Sequence, residues 1–461
     1  MLFSSHVFLF FFLPAVLLLY YISPRKLRNP LLLIASLFFY GWGEPVYLLL
    51  MVFTIVINYL CGAWVAALQH KGRKASAAVL VAVICNLLLL GYFKYAGFLL
   101  RSAASLIPAL REASIPQILL PIGISFYIFQ SLSYVIDVYR GDAPVQKNLL
   151  TFGTYVTLFP QLIAGPIVRY RDVAEQMDNR KENISDFASG VLLFVAGLSK
   201  KVLLANPMGS LWNLAQEQQG SLLAWVGILA YAMQIYFDFS GYSDMARGLG
   251  RMFGFEFLEN FNYPYISGSI TEFWRRWHIS LSTWFREYVY IPLGGNRRGL
   301  PRQILNLLIV WMLTGLWHGA SWNFVLWGLY YALFLIAEKL FLLKLLEGVP
   351  ALLRRCGTMV VVLLGWVLFY FEDMTALTAF LGKLFSMEAT GQAGLNIISA
   401  YLPLLLVACL ASTPIVKDAV KASEDRAWVR NGRLLAAAAA LMLCVAALAS
   451  QSYNPFIYFR F

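Results

Sequence analysis

Apolar segments long enough to cross a membrane recur along almost the whole chain, and no other feature of the sequence constrains the fold as strongly. They run from Met1 to Ile22, Leu31 to Trp42, Val46 to Leu68, Ala75 to Tyr92, Ile118 to Val138 and Phe187 to Ala205. Further segments run from Leu222 to Met245, Ile304 to Leu316, Trp322 to Leu343, Met359 to Phe371, Ile397 to Ala411 and Leu434 to Ser450. A hydrocarbon core of ~30 Å is crossed by about 20 apolar residues in a helix, so the pattern predicts an all-α polytopic membrane protein with about eleven to twelve transmembrane helices. Composition agrees. Of 461 residues, 60% are apolar and only 13% charged, against roughly 25% charged in a soluble domain, which excludes a water-soluble globule.

Met1 to Ile22 has no basic flank before it and no small-residue cleavage site after it, so it reads as a first span rather than a removed leader. Leu149 to Val168 is interrupted by Gly153, Pro160, Gly165 and Pro166 and reads as a re-entrant hairpin. The net charge is +12, but its Lys and Arg residues sit in the connections rather than in one patch, which argues for membrane orientation and against nucleic acid. Basic residues gather at Arg25 to Arg28, His70 to Lys74, Arg169 to Lys181, Arg275 to Arg302, Lys339 to Arg355 and Lys417 to Arg433. These connections are read as cytoplasmic, and the alternation then places both termini outside. Cys61, Cys85, Cys356, Cys409 and Cys444 have neither disulfide-framework nor metal-ligand spacing, so no metal site is expected.

Residues 236–302 stand apart as a core segment that packs Arg, Trp, Tyr and one His between two spans. Ser269 to Tyr290 has the pattern of one amphipathic helix lying at the cytoplasmic interface, with Arg275, Arg276 and Arg286 among Trp274, Trp277 and Trp284. Such residues anchor a protein at the interface. Here His278 and the arginines could also gather an anionic acyl donor. His318, about 15 residues and ~23 Å along a helix entering near Gln303, is placed inside the hydrocarbon layer. An ionisable group at that depth marks a functional site, and a neutral imidazole can take a proton from an attacking hydroxyl. Asp238 and Asp244, near the inner end of their span, are expected to pair with Arg247 or Arg251, or to orient a histidine. The outward tail at residues 451–461, QSYNPFIYFRF, is either an aromatic anchor or a segment that docks in a specific cavity.

Several stretches together resemble the membrane-bound O-acyltransferase superfamily, and within it the alginate O-acetyltransferase subunit I branch. They are FYGWGEP, SFYIFQSLSYVIDVYRG, LFPQLIAGPIVRY, YFDFSGYSDMARG, FWRRWHISLSTWFREYVYIPLGG, WHGASWNFVLWG and the FIYFRF ending. The resemblance covers nearly the whole chain, residues 1–461, as one membrane domain with an MBOAT-type helical bundle. It implies that His318 matches the membrane-embedded catalytic histidine and His278 the second histidine, on the cytoplasmic side. It further implies acetyl-CoA or an acyl carrier protein thioester as donor substrate, no resident cofactor, a bacterial inner-membrane location and an extracytoplasmic polysaccharide as the indirect acceptor. A separate periplasmic transferase of esterase fold is the implied partner. Arg275, Arg276, Trp277 and Arg286 are the candidate donor-binding residues. Tyr458 is the candidate acyl carrier, because related D-alanyl transfer proteins use a similar ending on a small partner. D-alanyl or longer-chain transfer, and a polysaccharide or lipid transporter, are the alternatives; the WHG and RRWHISLS motifs weigh against the transporter.

Overall fold

Among the described residues, eight helices are long and apolar enough to cross a bilayer: Leu48–His70, Ser76–Leu106, Ile184–Glu217, Ser221–Met252, Leu300–His318, Ala351–Tyr370, Gln392–Ala411 and Asn431–Ser450. The computed structural model describes residues 1–107, 118–163, 165–423, 427–450 and 456–457, and every regular element among the described residues is helical. The chain is a multi-pass membrane protein. Of four further segments expected to span, the one beginning at Trp322 forms continuous helix through a π turn to Leu346, whereas those beginning at Met1, Leu31 and Ile118 form helices of 17 residues or fewer. At ~1.5 Å per residue such a helix covers at most ~26 Å, short of the ~30 Å hydrocarbon layer.

The chain divides into two compact units, residues 1–194 with 245–258, and residues 195–244 with 259–461. In chain order the helices are α1 (Leu13–Ile22), α2 (Arg25–Gly41), α3 (Leu48–His70), α4 (Ser76–Leu90), α5 (Ala96–Leu106), α6 (Ile124–Arg140), α7 (Leu149–Thr157), α8 (Tyr170–Asn179), α9 (Ile184–Ser199), α10 (Asn206–Glu217) and α11 (Ser221–Met252). They continue with α12 (Ile270–Arg276), α13 (Ile279–Phe285), α14 (Leu300–His318), α15 (Trp322–Ala337), α16 (Leu343–Leu346), α17 (Ala351–Tyr370), α18 (Met374–Leu384), α19 (Gln392–Ala411), α20 (Ile415–Lys421) and α21 (Ala427–Ser450).

In the first unit, Phe3, Phe8, Phe12, Phe39 and Phe159 form one buried aromatic cluster. Some of the polar groups buried in this unit pair with one another, which lowers the cost of burying them. Asn58 of α3 and Asn86 of α4 exchange amide bonds of 3.2 and 2.8 Å, and Ser36 accepts the Phe159 N–H at 3.0 Å. The Leu149 to Val168 stretch is the nine-residue α7 followed by a buried non-helical run, so it is too short to be a span.

The second unit carries the histidines. Gly315 of α14 sits against the Phe324 carbonyl of α15, and Gly328 against the Trp311 carbonyl, so the two helices meet backbone to backbone. The amphipathic stretch from Ser269 to Tyr290 is not the single helix its periodicity predicts. It breaks between α12 and α13, where His278 adopts φ +45° and ψ +54°, and ends in a wide π turn at Arg286–Tyr290. The start of α12 is held by Ser269, which accepts the Glu272 N–H at 3.0 Å, and by Glu338, which accepts the N–H groups of Ile270 and Thr271 at 2.6 and 2.8 Å. A carboxylate at that end satisfies otherwise orphaned donors and favours the helix dipole.

Candidate active site

His318 is the last residue of α14, and the chain turns at once through extended Gly319 and Ser321 into α15. A side chain at Gly319 would collide with the Phe324 ring, so the close turn requires glycine there. The imidazole is 6% exposed and is met edge-on by Trp317, Trp327 and Phe369, with ring centroids 5.0, 4.9 and 5.5 Å away. Its Nδ1 lies 2.7 Å from the Thr314 carbonyl oxygen. A carbonyl only accepts, so Nδ1 of the neutral ring carries the proton and Nε2 keeps its lone pair.

His278 sits at the break between α12 and α13, 1% exposed, with Phe239 edge-on at 4.7 Å and Trp317 at 5.8 Å. Asn260 fixes its tautomer. The Asn260 Oδ1 accepts the Ser280 N–H and hydroxyl at 3.0 Å each, and the backbone donor identifies that atom as oxygen. His278 Nδ1, 3.3 Å from the same oxygen, is therefore the protonated nitrogen. Its Nε2 is buried without a hydrogen-bond partner. Burial, reinforced by nearby His318, pushes the His278 pKa well below the ordinary histidine value, so the ring is neutral. A non-glycine residue in left-handed backbone is costly, and such strain concentrates where side-chain placement matters.

A small cavity of about 20 Å³ lies beside His318, lined by Ile235, Asp238, Phe239, Trp277, His318, Trp327, Trp366, Phe369, Phe456 and Ile457. Of the candidate donor-binding residues, Trp277 lines it. Arg275 and Arg286 are exposed, and Arg276 is held by Glu272 at 2.9 Å and by the Asn262 carbonyl at 3.2 Å, so the arginines do not converge on the cavity. Tyr458 lies outside the described residues, but its neighbours Phe456 and Ile457 are both buried in this cavity.

Asp238 lies in mid-helix rather than near an end, because α11 continues to Met252. Both aspartates are ion-paired as expected, but with lysines in place of Arg247 and Arg251: Asp238 with Lys201 at 2.6 Å, and Asp244 with Lys200 at 2.6 Å. Sequence reasoning missed Asn260, Lys201, Trp366 and Phe369. Lys200 and the buried Lys201 fall in an apolar run and sit on a π turn, Lys200–Ala205, that helical periodicity does not anticipate. An imidazole held among aromatic rings with its basic nitrogen unprotonated can activate a hydroxyl for attack on an acyl group.

Residues 34–375 match the membrane-bound O-acyltransferase family, MBOAT. The chain is 41% identical to the "Probable alginate O-acetylase AlgI" of Azotobacter vinelandii over 501 residues, covering 100% of both chains. It is 35% identical to the peptidoglycan O-acetyltransferase of Helicobacter pylori, over 81% of this chain and 78% of that one. A teichoic acid D-alanyltransferase of Bacillus subtilis is 30% identical over 48% of this chain and 59% of its own.

Proposed function

Because this chain belongs to the membrane-bound O-acyltransferase family, we propose that it moves an acetyl group from a cytoplasmic thioester to a hydroxyl on the outer side of the membrane, for O-acetylation of a polysaccharide. Acetyl is favoured over D-alanyl because the full-length relatives are named as acetylases, whereas the D-alanyl relative matches about half of the chain. Alginate is the polysaccharide those relatives' names point to.

The observation that carries the reading is that His318 and the tail residues Phe456 and Ile457 share one cavity. With Nδ1 tied to Thr314, Nε2 of His318 takes the phenolic proton of Tyr458, whose ordinary pKa near 10 makes it a poor nucleophile unaided. The phenolate oxygen attacks the thioester carbonyl. As the C–S bond breaks, the imidazolium returns its proton to the departing thiolate, leaving a free thiol and an acetyl ester on Tyr458. The reactive aryl ester then passes its acetyl group to an outer hydroxyl, directly or through a separate esterase-fold transferase. His278, neutral and with Nε2 unpartnered, supplies a second acceptor or a positioning contact for the donor. Exposed Arg275 and Arg286 attract the anionic end of acetyl-CoA or an acyl carrier.

The basic connections support a reading with both termini outside the cytoplasm, in a bacterial inner membrane. The test is purified protein in nanodiscs incubated with radiolabelled acetyl-CoA. Label should appear on the peptide holding residues 451–461 in the wild type and be absent from Tyr458→Phe; equal label in the two proteins overturns the relay.

A further inference from the structure

The buried pair Lys201–Asp238 is not used in the chemistry above, yet it meets the tail directly. Asp238 is 2% exposed and lies in the middle of a span, where a charge is expensive unless it is both paired and hydrogen-bonded. One oxygen, Oδ1, is 2.6 Å from Lys201 Nζ. The other, Oδ2, accepts the backbone N–H of Ile457 at 2.8 Å. One turn along α11, the Tyr242 ring stacks on Phe456 with centroids 4.8 Å apart. Two consecutive tail residues are therefore gripped by two residues of one helix, one by its backbone and one by its ring.

The surrounding packing holds this grip in place. A Cβ at Gly241 would come within 2.7 Å of the Gly197 carbonyl oxygen, so the segments carrying Lys201 and Asp238 approach backbone to backbone. The Cys444 thiol of α21 lies 3.7 Å from the Ser199 hydroxyl, which brings the helix preceding the tail alongside the same turn. Ile457 and Asp238 both line the cavity of His318.

We propose that Asp238, charge-balanced by Lys201, is the positioning residue that docks the tail at Ile457 and so sets where residue 458 stands relative to His318. The inference rests on the proposed relay through Tyr458 and adds to it the means by which the carrier is registered. A backbone N–H is the contact, so the dock fixes position along the tail and leaves the neighbouring side chain free to react. Lys201 aligns the Asp238 carboxylate through their 2.6 Å contact, and the Tyr242 stack fixes the register.

Two readouts test it, both in nanodiscs. In an Ile457→Cys variant, reaction of residue 457 with a small water-soluble maleimide, followed by peptide mass spectrometry, reports docking without reference to activity. Loss of a hydrogen bond to a charged acceptor should speed labelling by roughly tenfold or more in Asp238→Ala, with a smaller effect in Asp238→Asn, whose amide oxygen still accepts the N–H. Because a lone buried Lys201 could unfold the protein, the paired variant Lys201→Met/Asp238→Leu, which buries no charge, should label as fast as Asp238→Ala. Unchanged labelling in both variants overturns the dock. The second readout is the fate of acetyl-CoA: undocking should shift consumed donor from the acetylated 451–461 peptide toward hydrolysis. If labelling accelerates but the wild-type protein never carries acetyl, the dock stands and the relay fails. If acetylation of the tail is equal in wild type and the undocked variants, the positioning role is wrong.

Discussion

Nδ1 of His318 lies 2.7 Å from the backbone carbonyl oxygen of Thr314, one helical turn earlier in α14. The acceptor is main chain, and the helix that carries it is packed through glycine contacts against α15, so the contact that sets the tautomer is part of the backbone framework. In many histidine bases a carboxylate performs this task; here Asp238, which lines the same cavity, is paired with Lys201.

Gly315→Ala should separate α14 from α15, because the added methyl meets the Phe324 carbonyl, a backbone atom that cannot move aside. Such overpacking costs about 1–3 kcal/mol or more, and it displaces His318 as well. A lowered thermal midpoint together with lost transfer is the expected result, measured by unfolding in detergent and by thioester turnover.

Asn260→Ala removes the acceptor shared by His278 and Ser280. Unpaired buried donors cost about 1–3 kcal/mol each, so stability should fall. The freed His278 ring can then exchange tautomers. Nitrogen-15 spectra of the labelled imidazole should show a mixture in the variant and Nε2 unprotonated in the wild type.

His278 is held neutral by burial, its pKa depressed below the ordinary value near 6.5. The unfolded chain binds a proton there that the folded chain does not, so this contribution to stability is full above about pH 6.5 and falls as pH drops toward the folded-state pKa. The thermal midpoint should decline over that acidic window, and His278→Gln should flatten the decline. Identical slopes in the two proteins would remove His278 from the account of acid sensitivity.

Lys201 and Lys200 are adjacent in sequence but should respond differently. The Lys201–Asp238 side chains are 4% and 3% exposed, so Lys201→Ala strands a buried charge at a cost of roughly 3–5 kcal/mol. The Lys200–Asp244 pair is 30% and 16% exposed, and its loss should cost no more than about 1 kcal/mol. Chemical denaturation of each variant in the same detergent gives the comparison.

The membrane class and the strong spans were legible because hydrocarbon imposes one requirement, a long apolar helix, that hydropathy reads directly. The break at His278 was not, since the 3.6-residue pattern of Ser269 to Tyr290 carries straight through it and no Gly or Pro marks the left-handed residue. Asn260 contacts His278 from 18 residues away, a separation without periodic signature. Pairing of Asp238 was legible from the expense of a buried charge, but the choice of Lys201 over Arg247 depends on a π turn in a neighbouring helix. The tail's docking was one of two readings, and the burial of Phe456 and Ile457 in the cavity of His318 favours it over a surface anchor.

The most direct test of the acyl-transfer account is thioester consumption by His318→Ala, measured with radiolabelled acetyl-CoA in nanodiscs alongside its elution profile and thermal midpoint. Removal of a positioned general base typically costs about 10²- to 10⁴-fold, and that loss is expected from a variant that remains folded. A folded His318→Ala protein that consumes donor and acetylates its tail within a factor of a few of wild type would contradict the account.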